Sequence, residues 1–270
     1  MKELILVPKD QPEVPLEAPV IKPDVFAGKK IKEIEELEIR QGNTVVKLSE
    51  FFDVSGKTSE NPNELRIVID GDANRTKRIG EEMKSGEIIV NGDVNMYVGA
   101  AMRGGRIVVN GNADSWAGQN MQGGELIIKG DAGDYLGSAY RGDWRGMKGG
   151  TIIVHGNVGN EIAEYMRGGK IIVKGNANIM PGIHMNNGLL IIEGDVVARV
   201  GAEMLGGTIV VKGVIEEFLP GFEYLGVEKD INVQNESISG LYYKFRGDYA
   251  VKGAKGIVYA AVGKNDHIIP

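Results

Sequence analysis

The chain of 270 residues contains no cysteine. That absence excludes disulfides, thiolate zinc sites and cysteine-held iron–sulfur clusters on this chain, and leaves the redox compartment open. Histidine is scarce as well. His155, His184 and His267 are the only three, and none stands at the His-x-x-x-His or His-Glu-x-x-His spacing that holds zinc. No apolar run is long enough to span a bilayer. The start, MKELILVPKDQPEV, lacks a cleavable small-residue site, so a cytoplasmic location is expected. Net charge is −6, and no run of Lys or Arg stands out, which argues against nucleic-acid binding and a polybasic membrane patch. There is no Gly-x-Ser-x-Gly elbow, and VKGAKG near the end lacks the Gly-Lys-Ser/Thr of a phosphate loop. The residues therefore nominate no catalytic, cofactor-binding or metal-binding group.

Glycine, by contrast, is abundant at 40 residues, and it recurs on a period. The stretch AAMRGGRIVVNGNADSWAGQNMQGGELIIKGDAGDYLG says nearly the same thing twice. Taking the Gly that closes each aliphatic triplet as an anchor gives Gly71, Gly92, Gly111, Gly130, Gly156, Gly175, Gly194 and Gly213. Their steps are 21, 19, 19, 26, 19, 19 and 19. A methionine column follows the same steps from Met83 to Met204, and a second glycine column runs from Gly80 to Gly201, with Ala163 in its one vacant place.

Each unit has one apolar segment, rich in β-branched residues, and several glycines. It cannot sustain a helix pair, and it reads as a strand. Leucine-rich repeats need more leucine. An all-β parallel β-helix remains, of seven to eight coils with 19-residue repeats, its equivalent residues stacked about 4.8 Å apart. Counting back from each anchor Gly, positions −4 and −2 are aliphatic and face inward, whereas −5 and −1 are polar almost throughout and face outward. The methionines fill interior gaps, because an unbranched thioether adapts to irregular packing.

Two columns are less routine. After the anchors stand Asp72, Asp93, Asn112, Asp131, Asn157, Asn176 and Asp195. They are read as turn residues bonding nearby backbone rather than as a calcium ladder. Position −3 has outward parity yet is aliphatic from Val68 to Val210. Such a column exposes roughly 300 Å² of apolar surface, so the chain's own ends or another subunit should cover it.

The unit Gly-Gly-x-[Ile/Leu]-x-[Ile/Val]-x-Gly-[Asp/Asn]-x-x-x-x-x-Gly-x-x-Met resembles the repeat of the glutamate synthase C-terminal β-helix domain. It is still more similar to that of the family formed by the C subunits of formylmethanofuran dehydrogenase. The length, the MKELILVPK start and FRGDYAVKGAKGIVYAAVG near the end favour the latter, and no glutaminase or flavin-binding region is present. The resemblance implies a right-handed β-helix and a non-catalytic, structural place in a hetero-oligomeric oxidoreductase. In that enzyme CO2 is reduced and condensed with methanofuran. Amidohydrolase-like, pterin-binding and ferredoxin-like partner chains carry the tungsten or molybdenum pterin, the iron–sulfur clusters and a binuclear metal site. The alternatives are a scaffold in a glutamate-synthase-like complex and a carbohydrate-binding β-helix. The latter should show a long outward aromatic column, but Tyr97, Trp116 and Tyr135 give way to Glu161, Met180 and Arg199.

The expected organisation is a Pro-rich arm and hairpin or cap over 1–64, the repeat domain over 65–213, and a C-terminal cap over 214–270. LEIRQGNTVVKL reads as a hairpin around Gly-Asn. The 26-residue step carries a surplus of seven residues within AYRGDWRGMKGG, which must leave the stack as a loop. Arg141, Trp144 and Arg145 lie there and are the interface candidates, because Trp and Arg are the types most enriched at binding hot spots.

Overall fold

The computed structural model describes residues 1–9 and 11–269 and is dominated by strands, with a few helices of one turn or little more. Each aliphatic triplet forms a strand: Leu65–Ile69, Glu87–Val90, Arg106–Val109, Glu125–Ile128, Thr151–Val154, Arg167–Val173, Asn187–Ile192 and Thr208–Val211. Consecutive ones pair parallel and in the register of the sequence repeat, as Ile88 with Ile107, Ile107 with Leu126 and Leu126 with Ile152. Alternation then sends −4 and −2 to one side, and all of them, from Ile67 and Ile69 to Ile209 and Val211, are fully buried.

The remainder of each unit carries the chain from one strand to its parallel neighbour. It too is stacked. Ala73, Val94, Ala113, Ala132, Val158 and Ala177 form a row of parallel bridges, continued by the strands Ala177–Ile179, Val196–Ala198 and Ile215–Glu217. The methionines from Met83 to Met204 belong to the same core as both rows, and all are fully buried.

The Asp/Asn column bonds its own turn, as expected, at Asp72, whose Oδ1 accepts the Asn74 N–H at 3.0 Å; the other members reach further. In six successive units the side-chain oxygen accepts the backbone N–H one unit on, from Asn112 N to Asp93 Oδ1 at 2.7 Å through Val214 N to Asp195 Oδ1 at 2.7 Å. The −5 column is also laddered over its first four units, from Arg66 to Glu125. Glu87, only 6% exposed, takes Arg66 on one side at 2.5 Å and Arg106 on the other at 2.9 Å. Burial opposes ionisation of Glu87, but the two guanidinium groups outweigh it and hold its carboxyl below the usual range.

At each end a segment outside the counted repeats joins the stack before antiparallel strands close it. Lys2–Pro8 is not a free arm, because it pairs parallel with Leu65–Ile69 and buries Leu4 and Leu6 in the same interior rows. At the other end Gly256–Ala261 pairs parallel with Thr208–Val211 and places Val258 and Ala260 inside. Each terminus thus adds a rung that lacks the anchor Gly and the Met, which is why periodicity did not find it. Antiparallel strands follow outside these rungs. Phe52–Gly56 lies against Lys2–Pro8, and the hairpin of Glu223–Val233 with Glu236–Gly247 lies against Gly256–Ala261, closing a 13-stranded sheet. The expected hairpin forms between Glu38–Gln41 and Thr44–Lys47, with Gly42 at φ +60° in its turn.

The −3 column is covered by the chain itself at one end. Ile231, Ile238 and Tyr242 of the terminal hairpin, with Tyr259, pack on Leu189, Ile191 and Val210 in a second apolar cluster. Val68, Ile89 and Ile153 stay half-buried.

Candidate interface at the inserted loop

Backbone hydrogen bonds locate the insertion. In the neighbouring unit Met121 N–H donates to Gly118 O at 3.1 Å; here Met147 N–H donates to Gly137 O at 3.1 Å across a longer chain. Ala139 N–H bonds Glu164 O and Gly146 N–H bonds Tyr165 O, so Tyr140 through Gly146 form the loop while the strands on either side keep register.

The three expected residues do not act alike. Trp144 is 65% exposed, its ring within 5.4 Å of the Arg167 guanidinium and 6.0 Å of that of Arg145. Arg145 forms a fork on Asp143, with Nε–Oδ1 at 2.8 Å and Nη2–Oδ2 at 2.9 Å. The bond raises the guanidinium's pKa and lowers that of the carboxyl. Arg141 turns back on its own chain. Its guanidinium lies 5.7 Å from the Trp116 ring and 5.5 Å from that of Tyr135.

Those rings belong to a stack. Tyr97 and Trp116 are 5.5 Å apart, Trp116 and Tyr135 4.8 Å, and Arg78 covers the far end at 4.8 Å from Tyr97. The faces of the rings are used against each other and against arginine, which does not favour a carbohydrate platform. Beside the stack, burial pushes the Glu164 carboxyl up to about 6, with Glu161 adding to the rise and Arg141 opposing it.

Two clefts flank Trp144, and Arg167 lines both. One, of about 330 Å³, is bounded by Asn120, Gln122, Asp143, Arg145, Lys148 and Arg167. The other, of about 390 Å³, lies between Trp144, Tyr165, His184 and Leu205. Tyr165 and His184 are stacked at 4.5 Å. The sequence reading missed Lys148, Arg167 and His184 as members of this face; their signal was their place in the repeat columns. Among the described residues no group of three His, Asp or Glu side chains is arranged to hold a metal ion. No helix is long and apolar enough to cross a membrane.

Over its full length the chain is 78% identical to the C subunit of the tungsten-containing formylmethanofuran dehydrogenase 2 of Methanothermobacter thermautotrophicus, with both chains wholly covered. The chain belongs to the family of formylmethanofuran dehydrogenase C subunits. The relative of the same description from Methanococcus maripaludis is 61% identical over 275 residues, again covering both chains. The C subunit of a molybdenum-containing formylmethanofuran dehydrogenase 1 from Methanosarcina barkeri is 48% identical over 98 residues, 36% of this chain and 33% of that one. No protein-family model matches. Among solved structures, a chain of the formyltransferase/hydrolase complex from Methylorubrum extorquens, in complex with methylofuran, superposes with a TM-score of 0.85. It is 24% identical, with 96% of this chain and 99% of that one covered, and so shares the fold.

Proposed function

We propose that this chain is a non-catalytic structural subunit of a tungsten-type formylmethanofuran dehydrogenase, the complex that reduces CO2 and condenses it with methanofuran. The observation that carries this reading is full-length identity of 78% to a C subunit of the tungsten-containing enzyme, against partial coverage by the molybdenum forms. That identity also favours it over a glutamate-synthase-like scaffold. In the same reading the stack is a right-handed parallel β-helix, supported by parallel pairing at the repeat interval. Residues 65–213 with the two added rungs Lys2–Pro8 and Gly256–Ala261 are the rod, the rest of 1–64 and 214–270 its closing segments, and the cytoplasm its location. The pterin, the iron–sulfur clusters and the binuclear metal belong to amidohydrolase-like, pterin-binding and ferredoxin-like partners. Elemental analysis of the separately purified chain should find no stoichiometric Zn, Fe, Mo or W, and a reproducible one-to-one metal would reject this assignment.

The inserted loop is the proposed docking point, through exposed Trp144 and Arg145. A Trp144→Ala, Arg145→Ala double variant should keep its circular dichroism but co-purify with fewer partner chains. Full retention of the complex at high salt would sink the docking role.

A further inference from the structure

No cluster of basic residues is visible along the sequence, but stacking makes one. The residue after each column methionine donates its N–H to the methionine carbonyl one unit back: Arg103 to Met83, Gln122 to Met102, Lys148 to Met121, and Arg167 to Met147, at 2.7 to 2.8 Å. Lys84, Arg103, Lys148 and Arg167 therefore line one edge of the stack, over roughly 19 Å at the inter-strand spacing. Arg103 is paired with Glu82 at 3.4 Å. Lys148 and Arg167 have no carboxylate within ion-pair distance among the described residues, and the loop's own Asp143 is held by Arg145. Arg167 Nε and Asn120 Oδ1 in the same cleft are buried with no hydrogen-bond partner. The chain itself leaves these two groups of the cleft unsatisfied. Past Trp144 the lining is more apolar, with the Tyr165–His184 stack, Val251 and Leu205, which is 40% exposed, while Glu203 stands beside His184 at 3.7 Å on the far side of the cleft from Lys148.

We propose that this face receives an acidic segment of a neighbouring subunit, with carboxylates on Lys148 and Arg167 and an apolar residue between Trp144 and Leu205. The proposal rests on the docking reading above and specifies the partner's chemistry. Charge complementarity carries it, for a chain of net charge −6 here presents two unpaired cations beside an exposed Trp. The overall negative charge disfavours nucleic acid as the occupant.

The intact complex supplies the test. A carbodiimide, which joins an amine to a carboxylate in contact with it, should couple Lys148 to an Asp or Glu of another subunit. In complexes carrying Lys148→Glu with Arg167→Glu, recovery of partner chains should fall on the order of tenfold at about 0.15 M salt, where charges still act over ~8 Å. The milder Lys148→Gln with Arg167→Gln should fall less and lose its salt dependence. Unchanged assembly in both variants, or cross-links only within this chain, overturns the proposal. RNA that co-purifies and is released by the reversal overturns it in favour of a polynucleotide. If Trp144→Ala with Arg145→Ala weakens assembly while the charge variants do not, docking at the loop stands and the acidic partner falls.

Discussion

Asn112 accepts the backbone N–H of Asp131 on its Oδ1 at 2.8 Å and itself donates through its own N–H to Asp93 Oδ1 at 2.7 Å. Neighbouring units are thus sewn together by side chains as well as by strands. Asn112→Ala should lower stability by about 1–2 kcal/mol, since it strands a donor. Asn112→Asp should also destabilise near neutral pH, by placing a carboxylate between Asp93 and Asp131, and should recover when acid neutralises the three. Calcium should leave the melting temperature of both forms unmoved. A calcium-dependent rise would mark a metal ladder instead.

The Gly182 Cα is poised against Ile209. A Cβ there would meet Ile209 Cδ1 at 2.5 Å, and φ is +77°. At Gly99 the nearest side-chain atoms are 3.5 Å or more away, with Leu126 facing it alongside Ile107. Ala163 occupies the same column at φ +59°. Gly182→Ala should therefore cost more than about 2 kcal/mol, and Gly99→Ala only the ~1 kcal/mol of left-handed backbone. Ile209→Leu should rescue part of the first. Equal losses in thermal melts would remove the steric argument.

Glu164 is the group to follow with pH. Its folded pKa, about 6, exceeds the ordinary 4.5, so the folded chain holds that proton more tightly than the unfolded one. Its contribution is most favourable below about pH 4.5 and is lost as pH rises to about 6, after which it is flat. Glu164→Gln should melt higher than the parent at about pH 8 and lose that advantage by about pH 4. Arg141→Ala should raise the carboxyl further, because it removes the opposing charge. A pH-independent difference between parent and variant would contradict this.

The terminal hairpin should be a cover with its own stability. Ile238, 6% exposed, packs with Ile231 over Leu189, Ile191 and Val210. Ile238→Ala should destabilise by about 2 kcal/mol. Amide exchange should then speed up in the hairpin first. If exchange at Thr208–Val211 accelerates as much as in Glu236–Gly247, the hairpin and the repeats unfold as one unit.

From the sequence alone came the repeat: the strand in each unit, the inward −4 and −2 rows, the methionine column and the place of the loop. Those follow from composition repeated at fixed spacing, where each residue's environment is set by the same residue one unit away. The added rungs at Lys2–Pro8 and Gly256–Ala261 were not legible, because an apolar alternation without anchor Gly or Met can join the stack only if the chain returns to it. Nor was the direction of Arg141, which sequence placed on a docking loop and the fold placed on the Trp116 and Tyr135 rings. The pairing of Lys148 with Arg167 was likewise decided in three dimensions. Residues a full unit apart in sequence share no local signal, and only hydrogen bonding of each unit to the one before it brings their charges to one edge.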